Sequence, residues 1–169
     1  MSSMTADRRM VWLLTGVLAG LGLAALWPAE TAHAIATDRS DRFAVCTVDV
    51  GPGTPDAVFV LDFLTGRLTG ALLNPQSGIF TNFYFRNVAA DFVIDPNTKP
   101  KYAMIPGAGI LNSGGGVTTA SGVIYIGELA SGKLVAYRFP FRTSRVPLDD
   151  ILPLDPFAFY SFRDAETKE

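Results

Sequence analysis

Short apolar segments separated by turn-forming residues dominate the chain after residue 34. The segments are rich in Val, Ile, Phe and Tyr, and clusters of Gly, Pro, Asn and Ser separate them, as is typical of β-strands joined by turns. No apolar pattern with the helical period of 3.6 residues extends beyond about ten residues in this part of the chain. The segments cover residues 43–48, 57–64, 68–73, 80–88, 101–105, 122–129 and 134–141. The sequence therefore predicts a mainly β, antiparallel fold.

Residues 57–61 are apolar at every position. A strand that is continuously apolar is typical of a position where both of its faces are covered. We therefore expect residues 57–61 to form a central strand with both faces buried.

Aromatic side chains alternate with other residues over residues 83–86. In a strand, Phe83 and Phe85 share one face, whereas Tyr84 and Arg86 share the other. We expect Phe83 and Phe85 in the core and Tyr84 and Arg86 at the surface, because arginine is mostly exposed in proteins. The alternative is that Tyr84 and Arg86, with the neighbouring aromatic side chains, form a platform that stacks on a sugar or an aromatic ligand.

Two parts of the chain match at a fixed offset of 66 residues without a gap: residues 57–68 and 123–134. Each contains an apolar strand, an acidic residue, a hydroxyl residue followed by glycine, a basic residue and leucine. Gly66 and Gly132 would supply a positive φ for a tight reversal, and Asp62 and Glu128 would brace the turns. We predict two β-meander repeats of three to four strands, residues 42–93 and 101–141, that form a small sandwich or open barrel.

Two resemblances follow from these residues. The repeated unit consists of an apolar strand, an acidic residue, Thr/Ser-Gly, a basic residue and Leu. It resembles the blade repeat of quinoprotein-like β-propellers, although the tryptophan that is usual after the turn is absent. Two units cannot close a propeller, which needs about four to eight blades, so closure would require several chains. Residues 57–70 together with 84–92 are similar to a family of short exported bacterial proteins of unknown function. That resemblance implies export and a shared fold, and it supplies no active-site residues.

The N-terminal segment has the features of an export signal. Arg8 and Arg9 precede the uncharged residues 10–27, Pro28 follows, and residues 32–34 are Ala-His-Ala, the small-x-small pattern of a cleavage site. We predict a signal helix with a signal peptide over residues 1–34, so that a mature β domain, residues 35–151, lies in the periplasm or outside the cell. The alternative is an uncleaved signal that anchors the chain in the membrane through residues 10–27.

Composition narrows the function classes. Without residues 1–34 the chain keeps 12 basic and 14 acidic residues, because two of each lie in the signal, and no basic run occurs, which argues against a nucleic-acid partner. Cys46 is the only cysteine, so no internal disulfide can form, and we expect it to be a small buried apolar residue. The only histidine, His33, lies in the signal, which excludes Ser-His-Asp catalysis and imidazole metal sites in the mature chain.

Other candidate sites are weaker. The glycine-rich residues 107–116 lack the spacing of a phosphate-binding loop, so we expect a flexible loop there. Asp91, Asp95 and Asn97 could offer oxygens to Ca²⁺, but Pro96 intervenes, and a turn is the favoured interpretation. We predict no metal and no cofactor.

Residues 152–169 form an aromatic, proline-containing C-terminal tail that includes Phe157, Phe159 and Tyr160. Either it folds back as a terminal strand, or it docks on a partner. We favour a non-enzymatic module that binds a protein or another component of the cell envelope, or a further copy of itself as a homo-oligomer. The alternative is a small hydrolase dependent on carboxylates, or a cofactor-holding domain, that uses Asp62, Asp91, Glu128 or Arg86.

Overall fold

The structure is a computed structural model that describes residues 3–26, 37–92, 99–109 and 118–163. The chain divides into two compact units, residues 1–33 and 34–169. The first contains helix α1, Ser3–Leu26, which includes most of the predicted signal segment. Among the described residues, no helix has the length and apolarity that crossing a membrane requires. The predicted cleavage site, residues 32–34, lies outside the described part of the chain.

The second unit is mainly β and contains one helix of four residues among its described parts. Its elements are β1 Thr37–Arg39, β2 Phe43–Val48, β3 Ala57–Asp62, β4 Arg67–Asn74, β5 Ile79–Asn87, α2 Ala89–Phe92, β6 Tyr102–Ala108, β7 Thr118–Thr119, β8 Gly122–Glu128, β9 Lys133–Arg138, β10 Pro140–Phe141, β11 Ile151–Pro153 and β12 Asp155–Ser161. The mainly β prediction is confirmed.

Two larger sheets organise these strands. The first sheet has the order β1-β2-β3-β4-β5-β11, and the second has the order β12-β9-β8-β6. Strands β7 and β10 form a separate pair. Every pairing is antiparallel except that of β11 with β5, which is parallel. Over the described residues neither large sheet closes on itself into a barrel.

The two sheets share one hydrophobic core. The first sheet contributes Phe59 and Leu61, and the second contributes Ile124 and Ile126, all without solvent exposure. Strand β2 lies against β6 and β8. Burial of this apolar surface is the main favourable term in folding, and it explains why apolar residues recur at alternate positions of these strands.

Strand β3 is central, as expected, but only one of its faces is buried. Phe59 points into the core, whereas Val58 and Val60 on the opposite face are half-buried. The expectation that both faces would be covered is therefore wrong for the chain by itself. Among the described residues, no layer covers the second face of this continuously apolar strand β3.

Both matching segments are hairpins that turn at the expected glycines. Gly66 and Gly132 have φ values of 65° and 71°, and β3 pairs with β4 as β8 pairs with β9. Equivalent backbone hydrogen bonds surround the two turns. The amide of Gly66 donates to the carbonyl of Asp62 at 2.9 Å, as that of Gly132 does to Glu128 at 3.0 Å. Two further pairs of amide-to-carbonyl bonds correspond: Phe63 to Arg42 (2.9 Å) with Leu129 to Lys101 (2.8 Å), and Val88 to Gly66 with Phe162 to Gly132 (both 2.9 Å). That one repeated unit gave rise to both meanders stays a prediction.

The C-terminal residues are part of both sheets. β11 pairs with β5 of the first sheet, and β12 pairs with β9 of the second. Leu152 and Leu154 are buried in the shared core. Of the two alternatives for the tail, the structure therefore shows the one in which it folds back as strands. The second meander extends to β12, beyond the predicted limit at residue 141.

Candidate functional site

The outer face of the first sheet carries large apolar side chains, over which the described residues between 37 and 163 place no further layer. We call it the first outer face and define it by Phe43, Val45, Val58, Val60, Phe83 and Phe85. Cross-strand pairing places Val45 opposite Val60, and it joins Val58, Ala71, Phe83 and Ile151 into an apolar row across four strands. Phe43, Val45, Phe83 and Phe85 are each 38% exposed. An apolar patch that spans several strands of a sheet is typical of an interaction surface.

Basic side chains accompany this face. The guanidinium of Arg67 lies 5.3 Å from the ring centre of Phe85, and that of Arg42 lies 5.2 Å from the ring centre of Phe43. Such cation–π contacts contribute about 0.5–1 kcal/mol at exposed sites. Both phenylalanines are therefore held in place by their own chain while one side of each ring stays accessible.

The outer face of the second sheet is also apolar. We call it the second outer face and define it by Ala103, Ile105, Tyr125, Leu134 and Tyr160. Ile105 lies opposite Tyr125, and Tyr160 lies opposite Leu134. Ile105 is 60% exposed and Tyr160 is 56% exposed. The domain thus presents an apolar surface on each side of its shared core.

The sequence-based assignment to the surface is wrong for Tyr84, whereas Arg86 on the same face is half-buried, with 32% of its side chain exposed. Tyr84 is 2% exposed and packs against Phe59 with ring centres 5.4 Å apart, while Phe83 and Phe85 are on the outer side. The alternation was correct, but the sheet turns the other face to the core. Tyr84 and Arg86 therefore share a face that is covered within the domain, and they do not form an exposed stacking platform.

Arg86 is accommodated near the core by a carboxylate and a phenol. Its Nε and Nη2 donate to Asp91 at 3.0 and 2.5 Å, and the Tyr137 hydroxyl donates to the same carboxylate at 2.9 Å. The hydrogen bond to Asp91 raises the pKa of Arg86, and burial raises that of Tyr137. A charge removed from water is costly unless it is paired. The hydrogen-bonded group of Arg86, Asp91 and Tyr137 meets this need and links β5, α2 and β9.

Asp62 and Glu128 brace the two turns, as expected. The Asp62 carboxylate accepts the Leu64 amide at 2.9 Å, and this bond holds the pKa of Asp62 below its ordinary value. Glu128 is 1% exposed, and its carboxylate accepts three amides, those of Lys101, Ala130 and Ser131. Burial raises the pKa of Glu128, but the amide hydrogen bonds outweigh it and leave the pKa below its ordinary value.

The aromatic residues of the tail lie on the edge strand β12. Phe157 is 39% exposed and Phe159 is 67% exposed. Phe159 lies opposite Val135 and therefore on the core side of the second sheet, but at the edge of that sheet. Tyr160 belongs to the opposite side, the second outer face. The tail residues thus divide between two faces and do not make one site.

A cationic cavity of about 340 Å³ lies where β1, the β3–β4 turn and the start of β6 meet. Four basic side chains and one acidic side chain line it with Phe63, Leu64, Pro100 and Tyr102: Arg39, Arg42, Lys99, Lys101 and Asp41. The Arg39 guanidinium lies 5.2 Å from the ring centre of Phe63. An excess of positive charge beside aromatic rings suits an anionic group. No sequence pattern indicates this cavity, because its residues come from separate segments.

The remaining predicted features are placed as follows. Cys46 is 1% exposed in the core, as expected, and burial raises the pKa of its thiol to about 12. The described residues contain no group of three or more side chains suited to a metal ion. Asp95 and Asn97 and most of the glycine-rich loop, residues 110–117, lie outside the described part of the chain. Comparisons with protein-family models, curated proteins and solved structures find no match to this chain.

Proposed function

We propose that this chain is an exported β module that works by contact, through its apolar sheet faces, in the cell envelope. The first outer face carries the proposal. Four of its side chains are 38% exposed on strands that lie inside the sheet, where a solvated sheet would have polar residues. Full burial of a Val or Phe side chain contributes about 1.5–3 kcal/mol, so covering the exposed 38% of each of these four side chains would contribute a fraction of that value each.

Export is supported by the N-terminal sequence. Arg8 and Arg9 lie in α1 just before its apolar residues, and a small-x-small site follows the helix in the sequence. The proposed place of action is the periplasm or the outside of the cell, with the mature chain starting at Ile35. An uncleaved signal would leave the same β domain attached to the membrane.

The carboxylate-dependent hydrolase has less support. Asp62 and Glu128 each accept amides of their own turns, and Asp91 is engaged by Arg86 and Tyr137. A general acid or base needs a carboxyl oxygen within hydrogen-bond reach of a substrate, whereas these carboxylates accept hydrogen bonds from groups of the domain itself. For the cofactor-holding alternative, the cationic cavity is the described place that suits an anionic group.

Photo-crosslinking tests the contact function. A photoreactive phenylalanine analogue replaces Phe83 on the first outer face, and in a control it replaces Val146, which is 65% exposed in the loop before β11. In the cells that produce the protein, we expect a defined adduct from position 83 in the envelope fraction and little from position 146. Equal labelling at both positions, or none, would contradict the proposal. The mass of the recovered chain tests cleavage before Ile35.

A further inference from the structure

The two meanders turn opposite faces toward their shared core. In β3 the core side carries Phe59, and the outer side carries Val58 and Val60. In β8 the core side carries Ile124 and Ile126, which correspond to those two valines at the offset of 66 residues. The positions that are outside in the first meander are therefore inside in the second.

The first strands of the meanders behave in the same way. Their pairing with β3 and β8 makes Phe43 equivalent to Tyr102 and Val45 equivalent to Met104. Phe43 and Val45 are 38% exposed, whereas Tyr102 and Met104 are buried in the core. The first outer face thus corresponds, position by position, to the core side of the second sheet.

The reverse correspondence also holds. Ile105 on the second outer face is equivalent to Cys46, and Tyr125 is equivalent to Phe59, both on the core side of the first sheet. The interface inside the chain therefore joins two unlike faces of one architecture. The same two kinds of face are left uncovered on the outside.

We propose that a second copy of this chain docks head to tail, with its second outer face on the first outer face of its neighbour. The new interface repeats the packing that already joins the two sheets within one chain. This inference rests on the proposed contact function and names the partner.

The contact is heterologous, so it either closes into a ring or continues as a filament. Closed arrangements of four-stranded sheets around an axis contain about four to eight sheets. Each chain supplies two sheets built on a four-stranded meander, the first of them extended by β1 and β11, so a closed ring would contain about two to four copies. Each copy would then have both outer faces covered, including the second face of β3.

Face-specific variants test this arrangement. Val45→Glu places a charge on the first outer face, Ile105→Glu places one on the second, and Val146→Glu adds the same charge to a loop outside both faces. Each protein is purified from the cells that produce it. Mass is measured by size-exclusion chromatography with light scattering, and circular dichroism checks the fold.

We expect an oligomer for the unchanged chain and for Val146→Glu, and a mass of one chain for either face variant alone. Mixing Val45→Glu with Ile105→Glu should give a one-to-one dimer, because each variant still offers the intact face that the other needs. If either variant unfolds, Phe83→Gln and Tyr160→Gln replace them in the same test.

Two results would overturn the inference. One is a monomeric unchanged chain at concentrations where the crosslink from position 83 is seen. The other is an oligomer that Val45→Glu dissociates and Ile105→Glu does not, which indicates like faces in contact. In both cases a crosslink from position 83 to a different protein would leave the contact function standing. If position 83 gave no crosslink at all, both proposals would be removed.

Discussion

Replacing Glu128 with glutamine should destabilise the domain, because this carboxylate is a buried acceptor for three amides. Oε1 accepts the amides of Lys101 and Ala130, and Oε2 accepts that of Ser131. In Glu128→Gln one oxygen stays in place, and an NH₂ group faces the donor that Oε2 had accepted. A buried donor without a partner costs about 1–3 kcal/mol. We therefore expect the free energy of unfolding to fall by about 2 kcal/mol.

The assay is urea denaturation at neutral pH, with Asp62→Asn as the matched control. Asp62 occupies the equivalent position of the first hairpin, where its side chain is more accessible and accepts the Leu64 amide. Water can satisfy the amide there, so Asp62→Asn should cost clearly less than Glu128→Gln. Equal losses for the two variants would show that burial of the carboxylate does not set the cost.

The pH dependence gives an independent check. The pKa of Glu128 in the folded chain lies below its ordinary value, which is about 4.3 in the unfolded chain. Its ionised form therefore contributes stability that is present above about pH 4.3 and is lost as the pH falls through the folded pKa. The unfolding free energies of the unchanged chain and of Glu128→Gln should converge in that acid range. A difference that stays constant down to strong acid would refute the role of the charge.

Three further predictions follow from other sites. Gly66→Ala and Gly132→Ala should each lower the unfolding free energy by about 1 kcal/mol or more in urea denaturation. Both φ values are positive, and a Cβ at either position would press on a side chain, that of Ala89 at 66 and that of Arg163 at 132; a cost near zero for either variant would contradict this. Tyr137→Phe should lower the unfolding free energy by about 1 kcal/mol, because it removes the hydrogen bond from the Tyr137 hydroxyl to Asp91. In a double-mutant cycle this loss should vanish when Asp91 is already alanine, and additive losses would refute the contact. Cys46 should resist a thiol reagent at pH 8 until urea unfolds the domain, and fast labelling of the native chain would show that its burial is wrong.

The local features of the fold were predictable because short-range chemistry determines them. A glycine that needs a positive φ, preceded by a hydroxyl residue and an acidic residue, is enough to specify a turn, and both hairpins lie where this pattern placed them. Cys46 is buried because it belongs to an alternating apolar strand.

The faces of the sheets could not be predicted in the same way. Alternation shows that Tyr84 and Arg86 share a side, but not which side another layer covers. The charge of Arg86 favoured the surface for this side. Arg86 lies on the core side because Asp91 accepts its hydrogen bonds and balances its charge, while Tyr137 donates to the same carboxylate. The parallel pairing of β11 with β5 was also missed, since contacts between residues so far apart in the sequence leave no local pattern.

The position of β11 and β12 has a consequence for the order in which the domain can form. The two strands follow each other directly, yet each completes a different sheet. The first sheet is incomplete until residue 153 is available for pairing, and the second until residue 161 is available. A chain that emerges from the ribosome with its N-terminus first therefore lacks these two strands until residues 151–161 are free. Its final folding step is delayed until then, because both sheets wait for a contiguous segment that follows all their other strands in the sequence.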